Sequence, residues 1–488
     1  MPSPVPDPSP NAASAHGRTA AHATALALAA APALAELPLP ARASLLRRLS
    51  RTLEENAAHL AAVAEDETRL GVERLRGEIR RAQVQLEMFA DVVEAGAFLD
   101  VMIDPADPAA QPGPRPDLRR MLVPLGPVAV FSASNFPFAF SVLGGDTASA
   151  LAAGCPVVVK AHEGHPRLSD LTHDLAAEVL PAGVLTLVHG RETGRSLVTD
   201  PEVRAVGFTG STSGGRALFD LANSRPDPIP FYGELGSLNP VVVTPAACAG
   251  RGADIAHGYV ASVALGQGQF CTKPGLLFLP AGHGLEDNLR RAIASVPPAP
   301  LLGRWISTAY RATLAALAGH PAVRPLHLTP EPTDARASAP ALLTTSAEEL
   351  RAHPELLQEC FGPASLVVTY TSADDLRTAL HTLPGSLTAT IHGSEREDEP
   401  FVRRLTAALS AGRLIWNGWP TGVAVTPAMH HGGPWPATTA PLHTSVGSRA
   451  MARWMRPVAY QDMPEELLPA PLRRDNPWSV PQQVGGPS

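Results

Sequence analysis

The chain has 488 residues, enough for a large core and, at about 150 residues per domain, for about three units. Lys and Arg number 39 against 46 Asp and Glu, a net charge of -7 with no dense basic block, which argues against a nucleic-acid partner or an anionic membrane surface and for a small metabolite. Cys155, Cys248, Cys271 and Cys360 stand far apart with no CxxC pair, a free-thiol pattern that points to a reducing, cytoplasmic compartment.

Residues 1–31 are rich in Pro and Ala, and the first basic residue, Arg18, follows a Pro-Ser stretch, so the basic start of a secretory leader is missing. The segment reads as a frayed tail leading into a helix, with 1–38 assigned to the tail. No apolar run of about 18 residues is free of breakers, so no transmembrane helix is expected. From Leu39 to about Gly96 the pattern is helical: Leu45, Leu46, Leu49 and Leu53 recur at helix spacing, and a long helix is predicted over 72–93. A Pro-rich loop over 104–116 then ends in a short strand at 118–124.

After Gly126 short apolar runs alternate with amphipathic stretches. Strands are predicted over 128–131, 156–160, 184–188 and 205–208, with helices over 145–153, 169–180 and 190–198 between them. That alternation is a parallel α/β sheet with a crevice at its strand ends. The last strand runs through Thr209-Gly210-Ser211 into a helix, and such an N-terminus suits a phosphate, although a Gly-Ser turn before a helix is commonly just a cap. A second α/β segment starts at Asn239-Pro240-Val241-Val242-Val243, has strands at 276–279, 366–370 and 387–392, and ends near 413–418. A late strand at 458–460 precedes a Pro-rich terminus.

Within the second segment, Gly266-Gln267-Gly268-Gln269-Phe270-Cys271 joins an apolar helical run (257–265) to a strand. Glycines on either side of a thiol let backbone N–H groups approach whatever the sulfur attacks. The alternative is a small buried packing residue.

Six separated motifs then converge: Ser134-Asn135-Phe136-Pro137-Phe138, Val159-Lys160-Ala161-His162-Glu163, Gly207-Phe208-Thr209-Gly210-Ser211, Glu234-Leu235-Gly236-Ser237-Leu238-Asn239-Pro240, the Cys271 stretch, and Glu359-Cys360-Phe361-Gly362-Pro363. In that order they resemble the aldehyde dehydrogenase superfamily, over about residues 40 to 460. The resemblance implies a Rossmann-type parallel cofactor domain (39–108 and 126–236), an α/β catalytic domain (237–440), a small oligomerisation sheet (109–125 and 441–465), and a C-terminal tail (466–488).

It further implies that Cys271 attacks the aldehyde, that the Asn135 amide and the Cys271 N–H hold the oxyanion, and that Glu234 is the base that releases a free acid. Taken alone, Asn135 reads as a turn residue and Glu234 as a surface carboxylate after a loop. In a water-poor pocket Glu234 is expected to have a raised pKa. The cofactor is NAD or NADP, with Lys160 and Glu163 at the adenine ribose, Gly210 and Ser211 at the pyrophosphate, Glu359 and Phe361 at the nicotinamide end, and the Leu235 carbonyl at the carboxamide. Glu163 would repel a 2′-phosphate, which favours NAD, whereas Arg191 and Arg195 would welcome one.

The stretches 417–423 and 428–439 are similar to the branch that contains 2-oxoglutarate semialdehyde (2,5-dioxopentanoate) dehydrogenase, with the bacterial NADP-linked long-chain aldehyde branch as neighbour. No metal is implied, His430-His431 reads as loop packing, and a homodimer or homotetramer is expected. Two other readings stand beside this one: an inactive binding relative, and an α/β thiol hydrolase pairing Cys271 with His257 or His283.

Overall fold

A computed structural model describes residues 19–330, 332–394 and 399–485. Valine-rich runs that have no polar face become strands buried on both sides. Leu185–Val188, Val157–Lys160, Val128–Phe131, Ala205–Thr209 and Phe231–Glu234 lie side by side in that order, all parallel. The first of these in the chain, Val128–Phe131, is the central one, so the strand order reverses beside it and opens a crevice at the carboxyl ends. Lys160, Thr209 and Glu234 are the last residues of their strands and stand along that edge. The helix Gly145–Ala153, built of small residues, is buried along its whole length, and Val72–Ala95 packs against it.

The second sheet has seven strands: Arg324–Leu328, Ala341–Ser346, Ala364–Tyr370, Leu276–Pro280, Val241–Val243, Ser386–His392 and Ala411–Trp416. Neighbours are parallel except the first pair. The helix Pro245–Ala264 crosses from Val241–Val243 and delivers the chain through a 3-10 turn, Leu265–Gly268, to Cys271 and on to Leu276–Pro280. Cys271 therefore lies on the connection between a buried helix and a buried strand, as expected.

A four-stranded sheet is made by Met455–Gln461, Leu118–Pro124, Val101–Asp104 and Gln482–Val484. It corrects two assignments. Val101–Asp104 joins this sheet rather than the cofactor segment, and Gln482–Val484, within the expected C-terminal tail, pairs with it in parallel. The N-terminal tail is corrected as well: residues 1–18 lie outside the described residues, but Ala20–Glu36 is a helix capped by the Thr19 hydroxyl. Its Ala20, Ala23 and Ala27 pack with Val158 and Val188 of the first sheet, and its Thr24 hydroxyl donates to Asp200 at 2.7 Å. The alanines assigned to the tail form a helix face narrow enough to lie on the sheet. Among the described residues no helix is long and apolar enough to cross a membrane.

Candidate active site

The glycines before Cys271 are there for shape. Gly266, Gln267 and Gly268 all have positive φ (56°, 56° and 67°), and a Cβ on Gly268 would collide with the Gly362 carbonyl. The loop is thereby pressed against the Glu359-to-Pro363 motif. Lys273, fully buried, donates to the Cys360 and Ala364 carbonyls at 2.8 Å each, and burial lowers its pKa. On the other side the Asn239 amide donates to the Cys271 and Lys273 carbonyls at 2.8 and 2.9 Å. Asn239 is in turn fixed by the Ser237 hydroxyl at 2.7 Å. The Glu234-to-Pro240 motif thus holds the cysteine backbone as well as carrying a carboxylate.

Glu234 does not follow a loop; it ends the edge strand Phe231–Glu234, opposite Thr209, and bridges to Thr438 on its other side. Its Oε1 accepts from His431 Nε2 at 2.9 Å and its Oε2 from the Ser445 hydroxyl at 2.7 Å. The same His431 Nε2 lies 3.5 Å from Cys271 Sγ. One carboxylate, one imidazole and one thiol, with ligand atoms within 4.8 Å of one another, form a compact cluster. His431 is fixed from behind: its N–H donates to the Thr444 hydroxyl at 2.8 Å and its carbonyl accepts from the Ser445 N–H at 2.9 Å. The His430-His431 pair was expected to be loop packing, and His431 lies instead between the Glu234 carboxylate and the Cys271 sulfur. The histidine beside the sulfur is this one and not His257 or His283; His283 is buried against Leu285 and Glu286.

The electrostatics reverse the expectation for Glu234. Burial pushes its carboxyl up, but the His431 charge and the hydrogen bonds from His431, Ser445 and Cys271 outweigh it, and Glu234 titrates below the usual carboxylate range. Cys271 moves the other way. Burial, then the Glu234 charge and hydrogen bond, then Glu359, hold its thiol well above the ordinary range. The resting pair is a carboxylate and a protonated thiol.

Asn135 is buried, and its Nδ2 donates to the Gln269 carbonyl at 3.0 Å, two residues before Cys271. Its own carbonyl accepts from Arg74 at 2.6 Å, and the Arg74 guanidinium lies over the Phe136 and Phe270 rings. The amide carries a second N–H, the kind of donor an oxyanion requires.

The crevice edge carries the cofactor-type residues. Lys160 pairs with Glu163, whose pKa falls: burial raises it, and the hydrogen bond and charge of Lys160 outweigh that. Ser211 caps the helix Thr212–Asn223 by accepting from the Gly214 N–H at 3.2 Å, and the Gly210 N–H donates to the Glu234 carbonyl at 3.0 Å. Leu235 is buried, its N–H bonded to the Ala437 carbonyl at 2.8 Å. A Cβ on Gly236 would strike the Glu359 carboxylate, which accepts from the Ser237 N–H. Burial lifts Glu359 to about 7. Phe361 packs partly buried on the core beside it. An ion pair at one strand end, a helix N-terminus at the next and a carboxylate across a glycine-shaped gap form a donor and acceptor set that fits a dinucleotide laid along the edge. Cys360 is buried packing, its thiol pushed up to about 11 by burial.

The aldehyde dehydrogenase family model matches residues 7–294. The alpha-ketoglutaric semialdehyde dehydrogenase 2 of Azospirillum brasilense is 48% identical over 461 residues, covering 92% of this chain and 87% of the relative. The alpha-ketoglutaric semialdehyde dehydrogenase of Acinetobacter baylyi is 41% identical over 456 residues, covering 91% and 86%. Among solved structures, aldehyde dehydrogenase 21 from Physcomitrella patens, in complex with the reaction product succinate, superposes with a TM-score of 0.77 at 18% identity, covering 90% of this chain and 89% of that one. Aldehyde dehydrogenase C from Pseudomonas syringae, a mutant complexed with NAD+ and octanal, gives 0.76 at 19%, covering 91% and 89%. With its sheet order, its cysteine loop and its relatives in agreement, the chain belongs to the aldehyde dehydrogenase family of NAD(P)-dependent oxidoreductases.

Proposed function

We propose that the protein oxidises 2-oxoglutarate semialdehyde to 2-oxoglutarate, with Cys271 as nucleophile and Glu234 as base. The observation that carries the chemistry is the contact of the Cys271 thiol with the Glu234 carboxylate and with His431 Nε2, 3.5 Å from the sulfur. The substrate assignment is supported by the two curated relatives named for that activity.

The protonated thiol is a poor nucleophile, so its proton is lost to solvent before attack, and the Glu234 carboxylate beside it stays ionised for the later step. The His431 N–H, which donates to Glu234, faces the sulfur and steadies the thiolate. Attack on the aldehyde carbon gives a thiohemiacetal, whose oxyanion takes the free N–H of the Asn135 amide and the Cys271 N–H. When bound, the nicotinamide cofactor accepts the hydride that this carbon must lose to become a thioester. Glu234, held by His431 and Ser445, then draws a proton from water as it attacks the thioester, and the free acid leaves Cys271.

Lys160, Glu163, Gly210, Ser211, the Leu235 carbonyl, Glu359 and Phe361 would hold the dinucleotide. We assign NAD rather than NADP, because a Glu163 whose pKa is depressed stays ionised beside the adenosine end and repels a 2′-phosphate. The five-stranded sheet is assigned to cofactor binding, the seven-stranded sheet to catalysis, and the four-stranded sheet to assembly as a homodimer or homotetramer. All four cysteines are free, which suits a cytoplasmic enzyme.

Steady-state kinetics with 2-oxoglutarate semialdehyde and with octanal, each with NAD and NADP, test the assignment. The expected result is the higher kcat/KM for the oxo acid with NAD. A higher kcat/KM for octanal with NADP would contradict it.

A further inference from the structure

The proposed substrate carries a carboxylate, and among the described residues Arg81 and Arg413, both near the cysteine, each have a buried donor with nothing to bond. Arg81 projects from the helix Val72–Ala95 and donates through one terminal nitrogen to the Val423 carbonyl at 2.8 Å. Arg413 lies on the edge strand Ala411–Trp416 and donates to the Gly422 and Pro420 carbonyls at 3.1 and 2.6 Å. The two guanidinium groups therefore meet on one short segment, 420–423, coming from different domains. In both, Nε is buried without a hydrogen-bond partner, a costly arrangement for a cation unless a ligand completes it.

Both charges also reach the reacting centre. Arg81 sits 5.9 Å from the Phe140 ring, which lies 6.5 Å from the His431 ring, and His431 is 3.5 Å from the sulfur. The strand that bears Arg413 packs at Gly412 against Gly432, next to His431. Each guanidinium acts electrostatically on the Cys271 thiol. Arg74, also near the loop, has one unbonded terminal nitrogen as well, but its charge is already paired with the Glu78 carboxylate at 3.2 Å and it donates to the Asn135 carbonyl at 2.6 Å. Among the described residues neither Arg81 nor Arg413 is so committed to a carboxylate side chain.

We propose that Arg81 and Arg413 together form the subsite that binds the carboxylate of an anionic aldehyde, and so set the enzyme's preference for oxo-acid semialdehydes over uncharged ones. This rests on the substrate reading above. In 2-oxoglutarate semialdehyde four carbon–carbon bonds separate the aldehyde carbon from the carboxylate, about 5 Å in an extended chain. The anionic end thus falls within about two residues' length of the Cys271 sulfur. A planar guanidinium offers the paired N–H geometry that a carboxylate accepts.

The test compares kcat/KM for 2-oxoglutarate semialdehyde with kcat/KM for pentanal, in the wild type and in Arg81→Gln and Arg413→Gln. The wild-type ratio is expected to favour the oxo acid, and each Gln variant to lower that ratio at least tenfold through the KM of the anionic substrate. Arg81→Lys and Arg413→Lys, which keep the charge and lose the fork, should restore part of it. If the Gln variants do not fold, the Lys variants and competitive inhibition of the wild type by glutarate, against weak inhibition by pentanamide, carry the same comparison. A wild type that does not favour the oxo acid overturns the substrate reading itself. A wild type that does favour it, with folded Arg variants that keep the full ratio, overturns the subsite and leaves the substrate reading standing.

Discussion

Cys271 and Glu234 are two acids in one small space, and each sets the other's charge. With the carboxylate ionised, the thiol stays protonated until pH rises well above the ordinary thiol range, because burial disfavours its anion and that anion would also face Glu234 and Glu359. Alkylation by iodoacetamide, which requires the thiolate, should therefore accelerate with pH without a plateau up to pH 9. Glu234→Gln removes a negative charge and a hydrogen-bond acceptor, both of which raise the thiol pKa. The variant should be alkylated several-fold faster at pH 8, since each unit of pKa changes the thiolate fraction about tenfold. An equal or slower rate would mean that Glu234 does not hold the thiol. At this scale the sequence was unequally informative. Cys271, Glu234 and Asn135 could be named because six motifs in one order resemble a known family, and the structure brings Cys271 and Glu234 into contact. His431 was not, since a histidine pair in a glycine-rich loop carries no periodicity, and its role depends on Thr444 and Ser445, which lie 13 and 14 residues away.

The elements that deliver these groups were mostly readable, and the failures have a common cause. Strands such as Val128–Phe131 and Leu276–Pro280 are continuous apolar runs buried on both faces, a pattern that composition alone exposes. Phe231–Glu234 and Gln482–Val484 are short and partly polar, and are strands only because a neighbour supplies the ladder. The loop Leu265–Gly268 shows how an element meets its neighbour at a glycine. Gly268→Ala would place a Cβ against the Gly362 carbonyl at a φ that L residues avoid. The expected cost is about 2 kcal/mol or more, read as a lower melting temperature together with lost turnover, because the Cys271 loop must shift. A variant with unchanged melting temperature and turnover would show that the loop tolerates another seat.

On the scale of the whole molecule, the site is a joint. Asn135, Lys160, Ser211 and Glu234 come from the five-stranded sheet and its loops, Cys271 and Glu359 from the seven-stranded one, and His431 and Ser445 from the segment that returns to the small sheet. That return is anchored where Arg453 pairs with the buried Asp146 at 2.6 Å and the Trp454 indole donates to Ser149 at 2.8 Å. A linear reading could list these residues but not their distances, since Glu234 and His431 stand 197 positions apart and meet at 2.9 Å. The central claim, that this joint makes Cys271 a covalent acyl carrier, is tested most directly by mass spectrometry of Glu234→Gln after mixing with 2-oxoglutarate semialdehyde and NAD. The account predicts an acyl group retained on the peptide that contains Cys271 and none in the double variant with Cys271→Ala. An unmodified Cys271 peptide in a variant that still produces NADH, or turnover that survives Cys271→Ala, would contradict it.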